Sequence, residues 1–315
     1  MMRRVAVCAV AAGLCHGAAA QSPRAADSLL ESGRLERAES LYYAAARARP
    51  HDPVARWALG RYLAARGAQR VAMTLFEESL KFGGRPSLVN AELAPLYLGF
   101  GEYRALLALS PTPLTAAERE RAAWLEAHPT RLVAPDSILA ASYRDAGDSG
   151  YVGRLPIRVN GRTVDALVDP GTRGVVLSDS TATLLRVRRF GAAARAGGHV
   201  PGPAAADSLA IGRLTLTNMP ITIGPGARPA IIGLDVLARL APTFDAPGSR
   251  VTLRVSGSVA ALPGTAAVLA TLVRPSDWLV SQAGGWASLR SPQVGRLLRG
   301  RRWTLDAKRG ELILE

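Results

Sequence analysis

Between Ala25 and Ser110 apolar residues recur at helical spacing, and the pattern itself repeats. Gly33, Gly67 and Gly101 fall 34 residues apart; Ala38 and Ala72 follow their glycines by five residues, with Tyr42 and Phe76 four further on. Trp57 with Leu59-Gly60, and then Leu93-Ala94 with Tyr97, precede the second and third glycines, and Pro50 and Pro86 punctuate the run. A small residue lets two helices approach closely and a large one a turn later fills the space beside it, so this period predicts stacked helix pairs over 25–129. The stretch "LTAAERERAAWLEAHP" closes the series: Thr115 suits an N-cap, Glu118 completes a capping box, and Pro129 stops the helix.

From Gly150 the period drops to two. Leu155, Ile157 and Val159 alternate with polar neighbours, Asn160-Gly161 is a two-residue hairpin signal, and Val164, Ala166 and Val168 alternate on the return. "ADSLAIGRLTLTNMPITIG" predicts further strands, and "AIIGLDVLARLAPTFDAPGSRVTLRV" a strand, a helical turn or two, and a hairpin through Pro247-Gly248. The expected organisation is a helical array over 25–129, a linker over 130–150, an all-β domain over 151–255 and a β-rich extension over 256–315.

The first 20 residues have a different texture. Arg3 and Arg4 precede an apolar run from Val5 to Leu14, and Ala18-Ala19-Ala20 offers small residues before Gln21, the pattern of a cleaved export signal. The run is too short to span a bilayer. Val7 and Leu14 precede Cys8 and Cys15, where a lipoprotein signal has a small residue. The chain is therefore expected to be exported, periplasmic or secreted, and not stably inserted in a membrane. Both cysteines lie in this segment, so disulfides and cysteine-bound zinc are not expected after it.

Of 315 residues, 48% are hydrophobic and 20% charged, enough for one or two globular domains. The formal charge of +14, or +12 without Arg3 and Arg4, comes almost wholly from scattered arginines; Lys81 and Lys308 are the two lysines. Basic residues not gathered on one face with interleaved aromatics argue against nucleic acid as the partner. His51, His128 and His199 are not spaced to share a metal, and no serine-nucleophile elbow, phosphate loop or dinucleotide fingerprint is present. No metal or cofactor is expected.

The candidate chemistry lies in "ALVDPGTRGVVLS", Ala166 to Ser178, where an apolar run delivers Asp169 into a tight glycine turn. Gly171 can offer its N–H to the carboxylate and Thr172 its hydroxyl. Asp235 and Asp245 read as a helix-turn acid and a hairpin acid. Read from the residues alone, Asp169 is also compatible with an ordinary β-turn.

Residues Tyr151 to Val255 resemble the retropepsin-like aspartic peptidases, on the acid turn "LVDPGTRGVVLS" and the element "AIIGLDVL" at the expected separation. The resemblance covers about a third of the chain and implies a closed acid-protease β-fold. It places Asp169 in the catalytic position, Pro170, Gly171 and Thr172 in the supporting turn, and Ile231, Ile232 and Gly233 in a ψ-shaped loop crossing behind it. Gly197, Gly198 and His199 fall in the segment that would cover substrate. The 34-residue repeat resembles the tetratricopeptide repeat, over about two and a half units, which implies a docking role for a peptide or protein.

The family departure is Pro170, where a hydroxyl usually locks one acid turn to the opposing one; proline has neither hydroxyl nor N–H. Aspartic proteolysis needs two carboxylates about 3 Å apart sharing a proton, and a cation such as Arg173 opposes that sharing or holds a substrate carboxylate. Two functions follow. One is an exported endopeptidase acting through Asp169 with a second carboxylate supplied by a homodimer or a second lobe. The other is a non-catalytic module that binds peptide or protein through the repeats and a degenerate cleft.

The tail bears on the choice. "TLDAKRGELIL" echoes "TFDAPGSRVTL" 61 residues earlier, and "LVRPSDWLVS" echoes the acid turn with Arg274 in place of the acid. The two elements start 32 residues apart, Leu272 to Thr304, against 76 for Leu167 to Thr243. That leaves room for a half-lobe without its own flap, and the two hairpins are equally compatible with common β-turn patterns unrelated to a second lobe.

Overall fold

A computed structural model describes residues 23–32, 34–146, 151–192, 201–225, 230–233, 236–237, 239–257, 265–271, 277–282, 285–306 and 311–314. Helices come first: α1 (Pro23–Glu31), α2 (Leu35–Ala48), α3 (Pro53–Ala65), α4 (Gln69–Lys81), α5 (Pro86–Phe100), α6 (Tyr103–Ala108) and α7 (Ala116–Ala127). The second helix of each hairpin starts at Leu35, Gln69 and Tyr103, the period of the glycines. Gly67 and Gly101 hold φ of 83° and 73°, the left-handed turn that ends one helix and frees the chain for the next. Ala38, Ala72, Tyr42 and Phe76 are all buried. Gly60 is required by close approach, because a Cβ there would lie 2.7 Å from the Phe76 ring. Tyrosine hydroxyls stitch neighbouring helices, Tyr42 to Asp27 at 2.5 Å, Tyr62 to Glu39 at 2.9 Å and Tyr97 to Glu77 at 2.8 Å. Burial and these acceptors push all three phenols up, so they stay neutral donors. The Thr115–Glu118 capping box starts α7, with Thr115 Oγ1 accepting from Glu118 N–H.

The β part has β1 (Arg131–Val133), β2 (Ile138–Ser142), β3 (Gly153–Val159), β4 (Arg162–Asp169), β5 (Val175–Ser178), α8 (Asp179–Leu184), β6 (Arg188–Arg189), β7 (Gly202–Ile211), β8 (Leu214–Gly224), β9 (Ala230–Gly233), β10 (Thr243–Asp245) and β11 (Arg250–Arg254). Strands β8, β5, β9, β4, β3 and β7 pair in that order, and β7 pairs back to β8, closing a six-stranded barrel. Asn160 and Gly161, at φ 47° and 81°, make the tight turn from β3 to β4.

Two expected boundaries shift. The stretch assigned to a linker, 130–150, forms β1 on the edge of β8 and β2 on the edge of β11. An edge strand needs one buried face, here supplied by Leu139, so small and polar neighbours read as loop. Tyr143 follows it, buried, and donates to the Val152 carbonyl at 2.8 Å. The tail is likewise not a separate extension. β12 (Thr265–Thr271), β13 (Asp277–Gln282), β14 (Gly285–Arg290), α9 (Ser291–Leu298), β15 (Arg302–Asp306) and β16 (Glu311–Leu314) complete a sheet ordered β14-β13-β12-β16-β15-β10-β11-β2. Trp303, Leu305 and Leu312 share one continuous core with the barrel.

The centre of this sheet is nearly two-fold. β10 and β15 pair antiparallel with Thr243 opposite Thr304, their buried hydroxyls 2.8 Å apart and 61 residues apart in sequence. The same offset relates β11 to β16 and the fully buried Leu237 to Leu298, each ahead of its hairpin. The hairpin echo thus holds as structure: the two copies face each other. The acid-turn echo does not, because β12 and β13 pair directly as a hairpin, whereas β9 separates β4 from β5. Arg274 lies outside the described residues.

Candidate active site

Asp169 is the last residue of β4. Parallel β9 lies beside it with Asp169 opposite Gly233, and β5 takes the other edge of β9 with Val175 opposite Ile232 and Val176 opposite Ile231. Ile231, Ile232 and Gly233 are thus the strand threaded between the two strands that flank the acid turn. Gly233 N–H donates to the Gly174 carbonyl at 2.7 Å, closing the turn from below. Gly174, at φ 70°, makes the exit bend.

Within the turn, Gly171 N–H donates to Asp169 Oδ1 at 2.9 Å and the Thr172 hydroxyl to Oδ2 at 2.6 Å. Both hydrogen bonds fix the plane of the carboxylate. Asp169 is half-buried and Pro170 buried, so position 170 brings no donor to a place where water is excluded. Gly197, Gly198 and His199 lie outside the described residues, as does Asp235. Asp245 is a hairpin acid, accepting from Gly248 N–H at 2.9 Å. Among the described residues no group of three or more His, Cys, Asp or Glu could hold a metal, and no helix is long and apolar enough to cross a membrane.

What the sequence did not reveal is that the helical array lies against the end of the barrel that carries Asp169. α7 docks on the barrel side: buried Arg121 donates to the Ile221 carbonyl at 3.1 Å, Glu120 accepts from Gly191 N–H at 3.0 Å, and Arg188 sits over Trp124 at 5.1 Å. At the other contact, Arg239, in the segment after β9, donates to the Gly99 carbonyl of α5. Seven residues back, on the same face of α5, is Glu92. Burial pushes its carboxyl up, against the opposing pull of Arg61 and of Arg173 from the acid turn. No local pattern announces such a meeting.

Residues 155–239 match the family described as gag-polyprotein putative aspartyl protease. A retropepsin-like aspartic protease from Rickettsia conorii aligns with the chain at 18% identity and a TM-score of 0.27, over 39% of this chain and 90% of its own. No curated protein matches. The acid turn with its two donors lies inside the segment that is similar to this aspartyl-protease family.

Proposed function

We propose that this is an exported binding protein built on the aspartic-protease fold. Its helix hairpins, read as tetratricopeptide-like, and the cleft before Asp169 engage a peptide or protein segment without cutting it. The observation that carries this reading is the pairing of β10 with β15. The edge of β10 is filled by β15 of the same chain, with Thr304 opposite Thr243, so it is closed to the β10 of a symmetric partner. Ahead of the hairpin that fills the edge, β12 and β13 pair directly with each other, with no strand between them. Asp169 then serves as a fixed acceptor for a ligand N–H, and the proton-sharing pair is not assembled.

The intact hydrogen bonds of the acid turn favour a second reading, a peptidase that gains its other carboxylate from a partner chain. One experiment separates the two. The protein and Asp169→Asn are incubated with a mixed peptide library from about pH 4 to 7, where a coupled carboxylate pair titrates, and light scattering gives the mass. Intact peptides and a monomer are expected. Cleavage by a homodimer, lost in Asp169→Asn, would establish the peptidase instead.

A further inference from the structure

The array and the β part are joined by contacts of unequal strength. Among the described residues the buried apolar side chains form two clusters, one within the helices that reaches Ala122 of α7 and one within the β part, with no residue in common. The contacts between the two are largely polar, the kind of interface across which domains move. On one side α7 is held at several points. Arg121, 7% exposed, donates to the Ile221 carbonyl at 3.1 Å, Glu120 accepts from Gly191 N–H at 3.0 Å, and the Trp124 ring lies 5.9 Å from that of Phe190. Gly191 meets α7 so closely that a Cβ there would lie 2.9 Å from the Ala117 Cβ. On the other side Arg239, itself exposed, donates to the Gly99 carbonyl in the last turn of α5, a hydrogen bond at the surface. The acid turn lies between these two contacts. β5 stands between β8 and β9. Ile221, which receives Arg121, is opposite Val175, the residue with which the chain leaves the acid turn for β5. Arg239 belongs to the segment after β9, and β9 ends opposite Asp169. From Ile221 to Arg239 the array therefore spans the end of β5 at which the turn stands, and Pro170 within that turn is buried.

We propose that the array is a hinged cover over the acid turn, with α7 as its pivot and the Arg239–Gly99 contact as its latch. In the latched state the array limits approach to Asp169; a peptide segment enters when Arg239 lets go of α5 and the array turns on α7. The latch suits that part chemically. A carbonyl in the last turn of a helix has no partner within the helix and draws a cation, yet at the surface such a contact is weak enough to break and re-form. The pivot differs, because parting Arg121 from the Ile221 carbonyl would strand a buried donor. The affinity for peptide is then reduced to the extent that the latched state is populated. For its ligand this regulation rests on the peptide-binding reading above; the latch itself is a property of the free chain.

The test uses the full chain and two readouts, hydrogen exchange followed by mass spectrometry and retention of randomised octapeptides. In Arg239→Ala, exchange over residues 171–175 is expected to speed up about fivefold, the scale of one exposed charged contact, and peptide retention to rise by a similar factor. Arg239→Lys, which keeps a cationic donor, returns both toward the unaltered protein. Exchange in β3 and β11 stays unchanged in both variants, which separates release of the cover from a general loosening of the fold. No change at 171–175, or faster exchange throughout the barrel, overturns the latch and leaves the binding reading standing. Faster exchange at 171–175 with unchanged or lower retention also overturns it, since the contact then does not shut the peptide site. Retention of no peptide by any of the three proteins overturns the binding reading, while the exchange result still decides the latch.

Discussion

The two hairpins that meet at Thr243 and Thr304 share offset and register, yet the strands before them differ. Ahead of β10 the chain runs through a closed barrel in which β9 is threaded between β4 and β5, so that the turn joining those strands is propped from below and can hold a carboxylate. Ahead of β15 the chain has β12, β13 and β14 in simple sequence, each turn joining neighbours. A hairpin needs only a partner edge and a buried face, and it survives when its lobe is shortened. An acid cradle needs a third strand between its flanking two. Among the described residues the tail accordingly keeps the hairpin that packs and shows no strand between β12 and β13.

The comparison can be broken most forcefully at Trp303, fully buried and stacked on Phe244 with ring centres 4.3 Å apart. Trp303→Ala is expected to cost about 4 kcal/mol in denaturant unfolding, because it empties the core common to barrel and tail. A loss under about 1 kcal/mol would mean the tail hairpin is not integral to that core. The equivalence of the two halves is sharpened by Leu237→Ala and Leu298→Ala, expected at about 3 kcal/mol each. Unequal costs, with Leu298→Ala near zero, would reduce the two-fold to the strands alone. Thr304→Val removes one hydroxyl from the centre, while Thr243 keeps its bond from Arg254 at 2.9 Å. About 1 kcal/mol is expected, measured in the same unfolding experiment.

A finer test concerns Pro170. Pro170→Thr restores the hydroxyl that would lock one acid turn to another, but among the described residues the tail presents no cradle with an interleaved strand for it to meet. No peptide hydrolysis is expected between about pH 4 and 7, and measurable turnover would show that a second acid turn is supplied after all. The smallest effect is at Glu92. Burial raises its folded-state pKa above the unfolded value, so the folded chain takes up the proton first as pH falls. The cost of ionising it is absent below the ordinary carboxylate pKa and is complete once pH exceeds the raised value. The melting temperature of Glu92→Gln relative to the unaltered protein is therefore expected to rise from about pH 4 to about pH 7. A constant difference would place Glu92 in an ordinary solvated setting.

Much of this architecture is local and could be read along the chain. The glycine period, the Thr115–Glu118 box, the Asn160-Gly161 turn and the acid turn with its two donors are set by neighbours a few residues apart, and periodicity reports such neighbours directly. β1 and β2 escaped because each buries little and owes its strand form to an edge, β8 or β11, whose place is settled far along the sequence. The echo of the acid turn misled for a related reason: similar residues around a bend do not specify whether a third strand passes between its arms.

What the sequence by itself determined is the inventory: helix pairs, a β domain with one cradled acid at Asp169, and two like hairpins 61 residues apart. Only the tertiary structure decided that those hairpins pair with each other about Thr243 and Thr304. It also brought α5 of the array against the segment after β9, where Arg239 donates to the Gly99 carbonyl. Both meetings join residues far apart in the chain. They arise from burial of shared apolar faces and the satisfaction of strand edges, which act on the whole folded surface and leave no periodic trace in the residues concerned.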